Sequence, residues 1–87
     1  MVKRDEIIAR VRRRLAAIAP ALQAENLKED EPLCTNAAFD SIALVSLALF
    51  LETEFGAKIK AADLTSGVFY NLGAIAELVA TRRRAPL

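Results

Sequence analysis

The sequence predicts a small all-α bundle with three main helices, one short helix and a long loop after the first helix. Apolar residues recur every three or four positions in the first segment, which is typical of an amphipathic helix. Polar capping residues stand directly before the later apolar segments, and no segment alternates apolar and polar residues as a half-exposed strand does. The 87 residues are 54% hydrophobic and 26% charged, which suits a single domain with a modest core.

The first helix is predicted over residues 4–19. Its apolar positions share one face, with arginines on the other; they are Ile7, Ile8, Val11, Leu15 and Ile18. Asp5 and Glu6 lie in the first turn, where negative charge complements the helix dipole. Pro20 ends the helix, because its ring removes a backbone donor and restricts the residue before it.

Residues 20–39 lose the helical periodicity and are predicted to form the long loop. The segment collects turn-forming residues and the acidic run 29–31. A loop of this length is unusual in a small domain. We therefore expect it either to have a functional role or to be held against the core by apolar side chains. The candidate anchors are Leu22, Leu27, Leu33 and Phe39.

The second helix is predicted over residues 41–55. Asp40 and Ser41 are both good N-cap residues and stand directly before a strongly apolar segment. Gly56 follows that segment and is expected to terminate the helix, as glycine commonly does at this position.

Two further helices complete the predicted fold. A short helix is expected over residues 61–65, and a last helix over residues 71–83. Asn71 is a candidate cap for the last helix, and the arginines at its end place positive charge where the helix dipole favours it. We expect residues 1–87 to form one domain.

The composition excludes several kinds of chemistry. The chain has no His and one Cys, Cys34, which excludes His-based catalysis, His metal ligands and a Cys–His nucleophile within it. We therefore expect no catalytic residue and no metal site. A lone thiol without a recognisable signal peptide suits a reducing, cytoplasmic setting, and Cys34 is expected to be a small apolar loop anchor. The apolar run 42–51 is half of the about 20 residues that cross a bilayer, so no membrane span is predicted.

The formal net charge of +1 conceals a segregation of charge along the chain. Residues 1–14 carry six basic and two acidic side chains, whereas residues 15–81 carry three basic and nine acidic ones. Three arginines follow. Basic ends could indicate a nucleic-acid binder, but no aromatic or Gly-rich sequence accompanies them. We therefore expect solvated helix faces and no nucleic-acid partner.

The tripeptide Asp40-Ser41-Ile42 is the candidate functional motif. A hydroxyl at the start of a helix lies where unpaired backbone N–H groups and the helix dipole favour a phosphate. The dipeptide Asp40-Ser41 alone is adequately explained by helix capping. Further residues at defined spacing around the tripeptide support a functional interpretation of it. They are Leu33, Val45, Leu47, Leu51, Glu54-Phe55-Gly56, Ile59, Asp63-Leu64-Thr65, Phe69, Leu72 and Ile75-Ala76.

With these residues, segment 33–79 resembles the acyl carrier protein family of four-helix domains. The resemblance implies that a separate phosphopantetheinyl transferase attaches 4′-phosphopantetheine from coenzyme A to Ser41. The thiol of the arm would then hold an acyl or aminoacyl group as a thioester, so the chain is a carrier and not an enzyme. Asp40 matches the acid that helps the transferase recognise the site, and Ile42 matches the apolar residue that seats the first helical turn.

Departures from the family pattern bear on the pathway. Ala38 and Phe39 precede Asp40 where many relatives have a glycine, and Lys58 and Lys60 replace a usual acid and proline. These features resemble discrete D-alanyl, polyketide or nonribosomal peptide carriers, so we expect a specialised pathway. The implied partners are an acyl- or aminoacyl-activating ligase and a downstream acyltransferase or synthase, acting on a monomer.

The second helix also departs from fatty acid carriers, which present acids there to basic partner enzymes. The corresponding positions are Ala43, Leu44, Ser46 and Phe50, and Glu52 is the only acid before Thr53. We therefore expect apolar partner docking through Leu44, Leu49 and Phe50 rather than long-range charge steering. Val45, Leu47, Ala48 and Leu51 are expected in the core, and Leu44 fits either environment.

Two alternatives remain at this stage. The first is a helical protein-interaction module that has the same fold but is not modified. The second is a basic nucleic-acid binder, whose affinity would fall steeply with salt. A mass gain from phosphopantetheine at Ser41 distinguishes the carrier from the unmodified module.

Overall fold

The computed structural model describes residues 3–33, 35, 37–65 and 67–82. These residues form three α-helices, three short 3-10 helices and no β-strand, which confirms the all-α prediction. The α-helices are α1 (Arg4–Ile18), α2 (Ser41–Phe55) and α3 (Leu72–Arg82); the 3-10 helices are Pro20–Leu22, Ala24–Asn26 and Ala61–Leu64. Cys34 and residue 83, the predicted end of the last helix, lie outside the described residues.

The core lies between α1 and the two helices that pack against it, α2 and α3. The predicted apolar face of α1 supplies Ile7, Ile8, Val11 and Leu15, all buried, while Ile18 is half-buried. The opposite core surface comes from α2 and α3, with Leu47, Leu51, Leu72, Ile75 and Val79 almost fully enclosed. No helix in the described ranges is both long enough and apolar enough to cross a membrane.

The segment between α1 and α2 is tied to the bundle and partly ordered into two 3-10 helices. Arg12 on α1 donates hydrogen bonds to the carbonyl oxygens of Ala24 and Leu27, at 2.7 and 2.6 Å. All four expected apolar anchors are buried: Leu22, Leu27, Leu33 and Phe39. The predicted loop over residues 20–39 therefore contains two short helices that the sequence did not indicate. The guanidinium of Arg12 satisfies two carbonyl groups of this segment and holds its turns against α1.

The far side of this loop is bonded to the start of α3. The backbone N–H of Leu33 donates to the carbonyl oxygen of Tyr70 at 2.8 Å, and the N–H of Gly73 donates to that of Glu29 at 3.0 Å. Asn71 caps α3 as expected, its side-chain oxygen accepting from the N–H of Ala74 at 2.7 Å. These bonds, together with those of Arg12, hold residues 24–33 of the loop against α1 and the start of α3.

An ion pair joins the short helix Ala61–Leu64 to the end of α3. Arg82 donates two hydrogen bonds to the carboxylate of Asp63, from Nη1 at 2.6 Å and from Nη2 at 2.9 Å. Asp63 also accepts from the backbone N–H of Lys60 at 2.7 Å, which closes the first turn of the short helix. The hydrogen bonds from Arg82 lower the pKa of Asp63, and the bond from Lys60 acts in the same direction.

Candidate functional site

The first turn of α2 is set by Asp40. Its backbone is extended, and its Oδ1 accepts a hydrogen bond from the N–H of Ala43 at 2.9 Å. Its carbonyl oxygen accepts the first intrahelical bond, from the N–H of Leu44 at 2.9 Å. Of the two candidate caps in the sequence, Asp40 is the N-cap, and Ser41 is the first residue of the helix.

Ser41 is exposed at this end of α2. The backbone N–H groups of Ser41 and Ile42 belong to the first helical turn, which has no preceding turn to accept their hydrogen bonds. They also lie at the positive end of the helix dipole, where an anion is stabilised. A phosphate ester on the Ser41 hydroxyl would therefore be adjacent to backbone donors and open to solvent, so the local chemistry fits a phosphodiester.

Other hydroxyl groups lie in less suitable surroundings. Ser46 is half-buried in the middle of α2. The hydroxyl of Thr53 donates to carbonyl oxygens of the preceding turn of α2, and that of Thr65 donates to a carbonyl in the short 3-10 helix at 3.3 Å. Ser66 lies outside the described residues. Of these hydroxyl groups, that of Ser41 combines exposure with a helix N-terminus.

An exposed apolar stripe runs along α2 from the position of Ser41. It comprises Ile42, Val45 and Leu49, which are 75%, 46% and 57% exposed. The three are spaced by three and four residues, so they follow one side of the helix. We call these three residues the α2 stripe. A partner that reaches Ser41 meets this apolar surface beside it.

One expectation for α2 is wrong. Val45 is not in the core but on the exposed side. The side chain of Ile42 is exposed and Ala43 occupies the buried side, so the role of Ile42 at the first turn stays a prediction. The sequence could not separate the faces of α2, because apolar residues surround the helix and leave no clear periodicity.

The predicted docking residues have different environments. Leu49 is exposed and belongs to the α2 stripe. Leu44 and Phe50 are half-buried and pack against the core, and the Phe50 ring also lies 4.7 Å from the guanidinium carbon of Arg14. Of the three, Leu49 offers the most side-chain surface to a partner, and Val45 is the exposed residue that the sequence reasoning missed.

The acids of α2 are both engaged in contacts within the chain. Glu52 accepts a hydrogen bond from the backbone N–H of Ile59 at 3.3 Å. Glu54 forms an ion pair with Arg10 on α1. Both acids lie in the last turn of α2, away from Ser41, so the exposed side chains next to Ser41 are those of Ile42 and Val45 on the helix and of the N-cap Asp40 before it.

Comparison with protein families gives one match that covers most of the chain. The family described as "Phosphopantetheine attachment site" matches residues 9–81, a range that includes all of α2. Comparisons with curated proteins and with solved structures gave no match.

Proposed function

The chain belongs to the phosphopantetheine attachment site family, and from this premise we propose that Ser41 is the residue that carries the 4′-phosphopantetheine arm. Membership establishes the cofactor and the general role of a carrier. We also propose which class of cargo the arm carries and which classes of enzyme act on the carrier. Its main support is the exposed hydroxyl of Ser41 at the N-terminus of a helix inside the matched range.

The residues around Ser41 suit the attachment chemistry. The Ser41 oxygen forms a bond to the pantetheine-side phosphorus of coenzyme A as the pyrophosphate P–O bond breaks. The adenosine 3′,5′-bisphosphate leaves, the hydroxyl proton is released, and the product is a phosphodiester anion beside the backbone donors of the first turn. Asp40 holds that turn in place by capping it. Its carboxylate also puts negative charge next to the serine, which a basic surface on a transferase can recognise.

The arm supplies a thiol that can hold an acyl or aminoacyl group as a thioester, while the protein supplies position and recognition. We propose that the transferase, an activating ligase and a downstream acyltransferase or synthase all contact the α2 stripe. Ile42, Val45 and Leu49 are exposed beside the attachment residue, and their burial in a complex would stabilise it by the hydrophobic effect.

The same surface supports a specialised pathway. Ile42, Val45 and Leu49 are exposed along α2 from Ser41, whereas the two acids of the helix lie in its last turn, so partner recognition beside Ser41 depends on apolar contact more than on charge. We propose a discrete carrier in polyketide, nonribosomal peptide, modified-lipid or cell-wall synthesis.

Intact-mass spectrometry tests the attachment site. After incubation with coenzyme A and a broad-range phosphopantetheinyl transferase, the wild-type protein should gain the mass of one arm. Ser41→Ala should show no gain, whereas Ser46→Ala, which removes another hydroxyl from the same helix, should gain it fully. A gain in Ser41→Ala would refute the assignment, and no gain in any of the proteins would favour the unmodified interaction module.

Hydroxylamine at neutral pH tests the thioester. The loaded protein, prepared with a ligase and its acid substrate, should lose the acyl group and retain the arm, since hydroxylamine cleaves thioesters and leaves phosphodiesters intact. An acyl group that survives this treatment would show that the cargo is attached in some other way.

A further inference from the structure

A second surface lies between α1 and α2, away from Ser41. It is an open groove of about 490 Å³, lined by Arg10, Arg13, Arg14, Ala17, Phe50 and Glu54. Phe50 and Glu54 follow Ser41 by nine and thirteen residues on α2, which corresponds to about 14 and 20 Å along the helix axis. The groove is therefore separate from the attachment residue. We call it the arginine groove.

Arginine charge in this groove is only partly compensated. Arg10 is held between the carboxylates of Glu6 and Glu54. Arg13 and Arg14 form no ion pair with any of the described residues. Arg13 is exposed, and the guanidinium of Arg14 is stacked over the ring of Phe50, which orients it. Two guanidinium groups without a counter-ion thus lie beside the apolar surface of Ala17 and Phe50.

We propose that the arginine groove binds an acidic segment of a partner protein. Carboxylates of that segment would pair with Arg13 and Arg14, because the planar guanidinium matches a carboxylate in a bidentate geometry. An apolar side chain of the segment would lie against Ala17 and the Phe50 ring. The site combines charged and apolar contacts, which is the combination that gives a peptide both orientation and affinity.

The surroundings of the groove favour a peptide over other anionic partners. Glu54 forms part of its wall, so an evenly charged phosphate backbone would meet a carboxylate there, whereas a peptide can place its carboxylates against Arg13 and Arg14 alone. A single small anion would fill little of its volume. A membrane surface is disfavoured because the apolar face of α1 is buried in the core and cannot insert into lipid.

This inference goes beyond the carrier role and does not require it. A partner held in the arginine groove would leave Ser41 and the α2 stripe accessible, so the chain could be tethered while another enzyme acts on it. Such tethering raises the effective concentration of the carrier near its enzymes.

Fluorescence anisotropy with a defined probe tests the proposal. The probe is a fluorescein-labelled peptide in which glutamates flank one phenylalanine, and its control has glutamine in place of every glutamate. We expect saturable binding of the acidic peptide only. Arg13→Glu/Arg14→Glu should weaken it by about tenfold or more, because two charge-assisted contacts are replaced by repulsion.

A matched variant separates the groove from overall charge. Lys3→Glu/Lys28→Glu makes the same change in net charge on two exposed residues outside the groove. It should alter the affinity by about twofold or less, since distant exposed charges are screened by salt. Equal weakening in both double variants would overturn the proposal, as would unchanged binding by Arg13→Glu/Arg14→Glu.

Further readouts complete the test. If Arg13→Glu/Arg14→Glu is poorly folded by circular dichroism, Arg13→Gln replaces it, because this variant leaves the Arg14–Phe50 stack in place. Arg13→Gln should also weaken binding. Amide shifts in the bound protein should concentrate on residues 10–17 and 50–54. Displacement of the peptide by inorganic phosphate, duplex DNA or anionic vesicles at similar charge concentration would contradict the proposal. The proposal would also be contradicted if the chain self-associated through this groove and thereby blocked binding of the peptide.

Discussion

The two faces of α2 have similar composition and opposite environments. On one face Ala43, Leu47 and Leu51 are buried, and Leu47 and Leu51 have no exposed surface. On the other, Ile42, Val45 and Leu49 are each about half exposed or more. Burial of apolar area therefore stabilises the fold mainly through the first face. The apolar residues of the second face are therefore available for contacts with other molecules.

The exposed apolar face of α2 also explains why this helix contains so little charge. A helix that only needed to cover the core would have one apolar face and a polar face opposite to it. Here the exposed side beside Ser41 stays apolar, and both acids of the helix contact other parts of the chain. The same 15-residue helix thus contributes to the core and presents a contact surface next to the proposed attachment residue.

The largest effect on stability is expected on the buried face. Leu47→Ala should lower the free energy of unfolding by about 2–5 kcal/mol, because it removes buried methyl groups and leaves a cavity. Leu49→Ala, the same chemical change on the exposed face, should lower it by about 0.5 kcal/mol or less. Urea unfolding monitored by circular dichroism measures both. Equal losses would mean that the two faces do not differ as described.

Removal of the N-cap should have an intermediate effect. Asp40→Ala deletes the acceptor of the Ala43 N–H and should destabilise the fold by about 0.5–2 kcal/mol. Asp40→Asn retains the acceptor but loses the charge, so its stability should stay close to wild type. If Asp40→Asn loads with phosphopantetheine as slowly as Asp40→Ala, the transferase recognises the charge of Asp40. Normal loading of Asp40→Asn would contradict that recognition and leave Asp40 with its capping role alone.

A smaller effect, dependent on pH, is expected from the ion pair of Asp63 with Arg82. Because the pKa of Asp63 is lowered in the fold, its contribution is present above its unfolded pKa of about 3.9 and is lost as the pH falls through the lower folded value. Asp63→Asn should therefore be less stable than wild type near neutral pH. Asparagine keeps an acceptor for the Lys60 N–H, so the variant isolates the pairing with Arg82.

Acid unfolding measures this difference and separates it from the apolar core. The gap between Asp63→Asn and wild type should shrink below about pH 4, because the Asp63 carboxylate is protonated first in the unfolded chain and, at lower pH, in the fold as well. The deficit of Leu47→Ala should not shrink in this way, since the buried face of α2 carries no titratable group. A gap for Asp63→Asn that is constant with pH would show that the ion pair does not contribute through charge.

The smallest effect on stability, together with the clearest effect on partners, is expected on the exposed face. Val45→Glu and Leu49→Glu should each change the free energy of unfolding by about 0.5 kcal/mol or less. They should slow phosphopantetheine loading or the transfer step that follows, because a charge replaces an apolar contact. Thr53→Glu, an exposed position farther from Ser41 on the same helix, provides the control. Normal loading and transfer in Val45→Glu and Leu49→Glu would remove the α2 stripe from the proposal.

Much of the fold was accessible from the sequence because its signals are local. Asp40, Gly56 and Asn71 mark helix ends through their own backbone and capping preferences, and the structure shows each of them in that role. Gly56 adopts a positive φ of 68°, which glycine tolerates better than other residues. The buried face of α1 followed from periodicity, since that helix has a clear polar side.

The arginines of the N-terminal segment illustrate what could not be predicted. In the sequence they form a single basic group, but in the structure they have different roles. Arg12 bonds to loop carbonyl oxygens, Arg10 bridges two acids, and Arg13 and Arg14 line the arginine groove. Apart from Glu6, which lies four residues before Arg10 on the same helix, their hydrogen-bond partners lie 12 to 44 residues away along the chain, so no local pattern identifies those partners.

The sequence by itself determined the three α-helices, the position of Ser41 at the start of α2 and the family to which the chain is similar, because caps, breakers and spacing are properties of neighbouring residues. Only the tertiary structure decided which apolar residues of α2 are exposed, which arginines are paired and which groove they form. The physical reason is that burial and ion pairing depend on where α1, α2 and α3 lie in space. An apolar residue or an arginine acquires its environment only when those helices pack.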